Sequence, residues 1–418
     1  MSILGRYGNP SAHQGRYRIS IVTETFWPDV NGVSRTLQQL IQMLQQGDVE
    51  VQIICPRSRH MRSRDWDSAD TFSSLRPVDI LRVRGLPLPG YRDVTIGLPC
   101  RRQITKYWQP RRPDFVYLAT EGPLCLSALQ AAKNLGLHPA SGFHTSFDQY
   151  AEHYRLDWLS ALVMTYLRWF HNRTAITLTP TREQRARLIS AGFRNVEVLS
   201  RGVDCKRFSP NLRCYALRSA WGVPVDGLVV LYVGRLASEK NLPLVIRAFK
   251  AIRQQQPNAR LVFVGDGPLR KTIRTQLPDA VLSGLQHGEA LARHYASADI
   301  FLFPSQTDTF GNVVTEAMAS GLPVVAFNTA AAAEHLCHNF SGMCATLGDE
   351  TGYIRNAVEL AGDGAQRRRL GSAARVCAEG LGWKAIASRF LEYLKQPSDR
   401  GAVAAPFVLN NHRKPLDA

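Results

Sequence analysis

The sequence predicts an α/β protein of two domains, each a mostly parallel sheet between helices, with a cleft between them. Three observations predict this. Short apolar runs recur along the chain, each followed by a loop and then a segment of helical period. One such unit is complete between Ala298 and Phe327: an apolar strand at Ile300–Phe303, a polar loop, a helix, and a second strand at Val324–Phe327. The length of 418 residues also suits two or three domains of ordinary size.

Taken in order, Arg18–Thr23 (RISIVT) is a first strand, and 24–31 is a loop with Phe26, Trp27 and Pro28. Gly32 leads into a helix, Val33–Leu44, with Leu37, Leu40, Ile41 and Leu44 on one face. This opening is Rossmann-like but lacks G-x-G-x-x-G, which argues against a dinucleotide-dependent oxidoreductase. Val51–Cys55 is a second strand. A cationic stretch follows, Arg57, Arg59, His60, Arg62 and Arg64, with Trp66 as its one aromatic anchor. Phe115–Ala119 is a strand with Glu121 at its carboxyl end, before a helix from Leu124 to Leu135. His144 follows a short strand in SGFHTSFDQY; on its own it reads as a satisfied core histidine or as a group facing a ligand. Ser160–Asn172 is helical and reads as an ordinary packed helix or an acceptor-facing one. Ala175–Leu178 and Val196–Leu199 are strands flanking a helix at 180–191, and the domain boundary falls at Arg201-Gly202-Val203-Asp204.

The second domain opens with the strand Val229–Val233, and Gly234 ends it. Arg235 and Lys240 follow on the loop before a helix that begins near Leu242. Two cations there suit a diphosphate, one as a forked donor and one as a compact charge. Arg260–Val264 is the next strand, followed by GDGPLR and later by Val281–Gly284. In the 298–327 unit, Asp308 precedes the helix and Glu316 lies inside it, at most about 12 Å away at helical rise. Asn312 is expected to cap that helix, which runs Val313–Ser320 and stops at Gly321. The two acids read either as a turn cap and a solvated helix residue or as acceptors of sugar hydroxyls, with free helix N–H groups between them. Tyr353–Leu360, Arg367–Glu379 and Trp383–Leu394 are further helices.

Composition narrows the class. Hydrophobic content of 45 % and charged content of 20 % are those of a globular protein. No apolar run is long enough to span a bilayer. The eight cysteines show neither C-x-x-C nor zinc spacing, and no metal cluster is found, so a reducing, cytoplasmic setting without a metal is expected. The net charge of +17 is uneven: between Arg57 and Arg112 there are 13 Lys/Arg against five Asp/Glu. That segment reads as a solvated basic face or as a surface for anionic phospholipid. Nucleic acid is not expected, because no recognised motif accompanies the charge.

The segment TFGNVVTEAMASGLPVVA with Asp308 and Glu316 resembles the acidic E-x7-E region of the retaining family-4 glycosyltransferases, which have the two-domain GT-B fold. The GRLASEKN loop and the 201–210 linker are similar to that family's signatures as well. Two departures stand out: Asp308 replaces a Glu, one methylene shorter, and Arg201 replaces the usual Asn. The H-T-S-F motif at His144 resembles glycolipid mannosyltransferases and sulfolipid synthases, in which this histidine faces the donor sugar.

The resemblance implies the following. The fold is two Rossmann-like domains facing a central cleft. The acceptor domain is 17–200, the nucleotide-sugar domain 201–382, and a helix at 383–396 crosses back, with disordered tails at 1–16 and 397–418. Gly32, Gly234, Arg235, Lys240, Gly284, Asp308, Phe310, Gly311, Asn312 and Glu316 bind the donor. His144, Arg235, Lys240 and Asp308 are catalytic. The reaction is metal-independent hexose transfer from a nucleotide-sugar, GDP-mannose before UDP-glucose or UDP-sulfoquinovose, to a lipid such as diacylglycerol. Arg59, Arg62, Arg64 and Trp66 form the membrane or acceptor face, and the protein is peripheral on the inner face of an anionic membrane. A non-catalytic nucleotide- or lipid-binding relative is a further alternative.

Overall fold

The structure, a computed structural model, describes residues 16–27, 29, 32–57, 78–88, 91–144, 157–224 and 226–396. The tails expected at 1–16 and 397–418 lie outside these residues apart from Arg16, as do Arg59, Arg62, Arg64, Trp66 and the Thr145–Phe147 part of the histidine motif.

The first domain is built on strands β1 (Tyr17–Val22), β2 (Val49–Pro56) and β3 (Asp79–Val83), a hairpin of β4 (Gly85–Leu88) and β5 (Tyr91–Gly97), then β6 (Phe115–Leu118), β7 (Ala140–Gly142), β8 (Ile176–Thr179) and β9 (Val196–Val198). Seven of these form one parallel sheet in the order β3-β2-β1-β6-β7-β8-β9. The second domain carries β10 (Val229–Val233), β11 (Arg260–Val264), β12 (Val281–Leu282), β13 (Ile300–Phe303), β14 (Val324–Phe327) and β15 (Gly342–Ala345), again all parallel, in the order β12-β11-β10-β13-β14-β15.

Both sheets are covered by helices on both faces, which is why their strands read as continuous apolar runs. Every residue of β10 and of β13 is buried. Alternate residues serve opposite faces: Val229, Leu231 and Val233 enter one core cluster, Val230 and Tyr232 the other. Leu37, Leu40, Ile41 and Leu44 of the Gly32–Gln46 helix are buried against β1 and β2.

The strand order places the sites. In the first sheet the direction of winding reverses between β1 and β6; in the second it reverses at β10, between β11 and β13. Loops leaving the carboxyl ends of strands at such a reversal diverge and leave a crevice. The loops after β1, β6, β7, β10 and β13 carry Gly32, Glu121, His144, Arg235 and Asp308, so the fold converges the residues singled out from the sequence.

The chain crosses between domains twice. Val203 pairs with Gly382, and a Cβ on Gly202 would lie 2.6 Å from the Trp383 ring. Beyond that point the Trp383–Lys395 helix packs Ala387 and Phe390 into the first domain's core, with the Phe390 and Tyr117 rings edge to face at 5.0 Å.

The basic segment holds more structure than its charge suggested. Strands β3 to β5 and a helix at Arg101–Trp108 lie within it. Some of its cations are engaged in the fold: Arg111 meets Asp79 at 3.3 Å, and Arg112 donates to the Leu135 carbonyl at 2.6 Å. No helix of the described residues is long and apolar enough to cross a membrane.

Candidate active site

The second-domain wall is made by three strand-end loops. Gly234 ends β10, and the GDG turn after β11 closes directly on it. A Cβ at Gly265 would come within 2.0 Å of the Gly234 carbonyl oxygen, with φ at +134°, so only glycine fits. The Gly265 N–H donates to the Gly284 carbonyl at 2.8 Å, tying the three loops together. The backbone of this wall is therefore pre-arranged before any ligand arrives. The GDG glycines were not singled out from the sequence, because the close approach involves a residue some thirty positions away.

Arg235 and Lys240 do not act as a matched pair. Arg235 keeps 68 % of its side chain exposed and lies 3.6 Å from Glu239. Lys240 sits on a single helical turn ended by left-handed Asn241, and its Nζ donates to Asp308 Oδ1 at 2.7 Å. That pair has side-chain exposures of 19 % and 21 %, low enough for the attraction to be only partly screened. Asp308 Oδ2 is buried without a partner among the described residues.

The helix after Asp308 runs Asn312–Ala319, and its cap differs from the sequence expectation. Gly311, at φ +83°, is the capping residue, and no side chain caps it. Side-chain capping needs the preceding residue in an extended conformation. The left-handed turn at Gly311 instead carries Asn312 into the helix, where its Oδ1 is buried without a partner among the described residues. Phe310 is 1 % exposed, its ring against His335, so any donor contact it makes is through its backbone.

Glu316 points from that helix toward Tyr295, whose hydroxyl donates to Oε2 at 2.9 Å. Burial raises the Glu316 carboxyl from 4.5 to about 7; the Tyr295 bond, Arg35 and Arg207 only partly oppose this. Arg35 belongs to the Gly32–Gln46 helix, so the field of the first domain reaches Glu316 across the cleft.

On the first-domain side, His144 Nε2 meets the Tyr117 hydroxyl at 3.1 Å, and Nδ1 is buried without a partner among the described residues. Burial first, then Arg201 and His171, lower its pKa to about 3. The imidazole is therefore neutral at pH 7 and works as a hydrogen-bonding group rather than a cation. Behind it, buried His171 bonds Ser141 at 2.8 Å and Glu121 at 3.3 Å.

Two residues without a role in the sequence reading stand out. Glu24, 9 % exposed at the end of β1, accepts from the Gly97 N–H at 2.6 Å and the Leu124 N–H at 2.8 Å. It pins the β5 exit and the start of the Pro123–Asn134 helix to β1, and burial raises its carboxyl to about 7. Arg201, in the linker, is also 9 % exposed. A charged residue inside the apolar context of a strand end is the signal that marks both. Among the described residues no group of three or more His, Cys, Asp or Glu is gathered as a metal-ligand set.

Cationic loop ends, a helix N-terminus and buried polar atoms without partners among the described residues thus gather at the strand-end loops of the two parallel sheets. Residues 30–207 match the glycosyltransferase family 4 description and residues 216–376 that of glycosyl transferases group 1. A GDP-mannose-dependent alpha-mannosyltransferase of Mycolicibacterium smegmatis is 31 % identical over 93 % of this chain and 100 % of its own length. The chain belongs to glycosyltransferase family 4. A sulfoquinovosyl transferase of Arabidopsis thaliana is also similar, at 31 % identity over 74 % of this chain and 62 % of the plant protein. The sucrose-phosphate synthase structure from Thermosynechococcus elongatus superposes with a TM-score of 0.71 at 18 % identity, covering 90 % of this chain and 98 % of that one. The two Rossmann-like domains are the GT-B fold, and the chain is a glycosyltransferase.

Proposed function

We propose that this glycosyltransferase moves mannose from GDP-mannose to a lipid acceptor at a membrane surface, with retention of anomeric configuration. The observation that carries the reading is a set of buried polar atoms without partners among the described residues at the strand-end loops, Asp308 Oδ2, Asn312 Oδ1 and His144 Nδ1, beside the Lys240–Asp308 pair. Buried polar atoms without partners are costly. A polyhydroxylated sugar supplies donors to several acceptors at once, and its diphosphate suits the cations at the rim.

In this reading the acceptor hydroxyl oxygen bonds to the anomeric carbon, the bond to the nucleoside diphosphate breaks, and the hydroxyl proton is released. Lys240 and Arg235 oppose the charge that grows on the departing diphosphate. Neutral His144 accepts or donates a hydrogen bond at the transferred sugar, oriented by Tyr117. Asp308 takes hydroxyls of the hexose and Glu316 those of the ribose. No metal is required. The mannosyl donor is supported by the name of the mycobacterial relative, the lipid acceptor by a similar alpha-monoglucosyldiacylglycerol synthase of Streptococcus pneumoniae, and an anionic bilayer as the meeting place by the basic 57–112 segment.

The sulfoquinovosyl relative and the similar alpha-monoglucosyldiacylglycerol synthase favour a second reading, which we take as transfer from a UDP-sugar to diacylglycerol. The test is a panel of GDP- and UDP-sugars, with radiolabelled transfer measured with and without vesicles of anionic phospholipid and diacylglycerol. Transfer from GDP-mannose above all others supports the first reading. Preference for a UDP-sugar overturns it.

A further inference from the structure

Arg201 stands in the linker just after β9, where the chain leaves the first domain. The other buried arginine and a half-buried one show, among the described residues, how this fold usually engages such a group. Arg218, 4 % exposed, meets Asp299 at 2.9 Å and donates to the Ser297 and Gly227 carbonyls. Arg375 donates to three backbone carbonyls and to Glu379. Arg201 has no hydrogen bond and no ion pair among the described residues, and its Nε is buried without an acceptor.

Its surroundings locate it in the crevice. The guanidinium lies over the Phe310 ring at 5.6 Å. A Cβ on Gly32 would be 3.5 Å from Nη1. The charge of Arg201 is felt by His144, and that of Asp308 by Arg201. The side chain therefore sits between the start of the Gly32–Gln46 helix and the loop that opens the Asn312–Ala319 helix. Both are positive helix ends. Burial lowers its pKa to about 10, which leaves it protonated at pH 7.

A buried guanidinium without a counter-ion is strongly disfavoured, and positive helix ends make it worse. An anion placed among them relieves all three at once. Lys240 already holds Asp308 and Arg235 is turned outward beside Glu239, so neither offers an unpaired buried charge. We propose that Arg201 is a binding residue for the terminal phosphate of the donor's diphosphate, a contact supplied by the interdomain linker. The inference rests on the nucleotide-sugar reading above and adds to it which group meets the phosphate that departs from the sugar. The forked donor matches two phosphate oxygens, which a lysine or an asparagine at this position does not.

The test is calorimetric titration of the full chain, and of Arg201→Gln and Arg201→Lys, with GDP, UDP, GMP and UMP. The wild type should prefer diphosphates to monophosphates. In Arg201→Gln, affinity for the preferred diphosphate should fall about ten- to a hundredfold, with monophosphate affinity changed less than about twofold. Arg201→Lys should recover part of the loss. The ratio of the two affinities is internal to the folded protein, so a partly unfolded variant does not mimic it. Ligand-free Arg201→Gln should also melt no lower than wild type, because a residue held for structure would destabilise when removed. Equal loss for mono- and diphosphate overturns the inference, as does a diphosphate affinity within twofold of wild type. In the latter case lost turnover would place the anion on the acceptor or the sugar. A wild-type protein that binds no nucleotide diphosphate would remove the donor reading and this inference with it.

Discussion

Glu316→Gln tests the donor site through two opposed effects of one substitution. The carboxyl is pushed from 4.5 to about 7 by burial, a difference worth about 3 kcal/mol between its protonation states. A raised folded-state pKa means that the fold prefers the protonated form. The contribution to stability is full below about pH 4.5 and is lost as pH rises through about 7. Glutamine keeps the shape and an acceptor for Tyr295 but does not ionise. Ligand-free Glu316→Gln should therefore match the wild type near pH 4 and exceed it by up to about 3 kcal/mol at pH 8. For a domain of this size that is roughly 2–4 °C in Tm per kcal/mol.

Nucleotide binding should run the other way. An ionised carboxylate accepting two ribose hydroxyls is stronger than a neutral amide by about ten- to a hundredfold. The ratio of wild-type to variant affinity for GDP or UDP should rise from near one at pH 5.5 to at least about tenfold at pH 8. The nucleotide's own phosphate titrates near pH 6, but it does so against both proteins and cancels in the ratio. Thermal melts and calorimetric titrations across this range supply both curves. Parallel stability curves would show that Glu316 is not held in a desolvated site. An affinity ratio independent of pH would remove it from the ribose.

Three further outcomes are expected. Lys240→Ala should lower kcat by about 10²–10³, the loss for one preorganised donor, and by more than Arg235→Ala, because Lys240 is shielded on Asp308 and Arg235 is mostly exposed; steady-state kinetics showing the reverse order would misplace the clamp. Turnover should survive excess EDTA, and an EDTA-inactivated enzyme restored by manganese would reveal a metal site. Changing Arg59, Arg62 and Arg64 together to Ser should reduce co-sedimentation with anionic vesicles and its salt sensitivity, each cation contributing about 1 kcal/mol at an anionic surface; unchanged binding would make the segment a solvated face.

The sequence alone determined the two parallel sheets and the loops that matter. A strand buried on both faces leaves a run of apolar residues, and a loop that needs a glycine or a charge at its strand end leaves one there. Val229–Val233 with Gly234, and Ile300–Phe303 with Asp308, are readable for that reason. The helical stripe from Leu37 to Leu44 is readable because its period is local. Partnership is not local, and only the tertiary structure decided it. Lys240 and Asp308 look like two separate tools along the chain, yet folding brings Nζ and Oδ1 to 2.7 Å. Asn312 looks like a cap until the left-handed Gly311 takes that place. Gly265 looks like a turn glycine until β10 and β11 lie side by side and leave no room for a Cβ. Arg201 looks like a substitution in a linker until both domains close around it, because desolvation depends on everything that surrounds a charge and not on its neighbours in sequence.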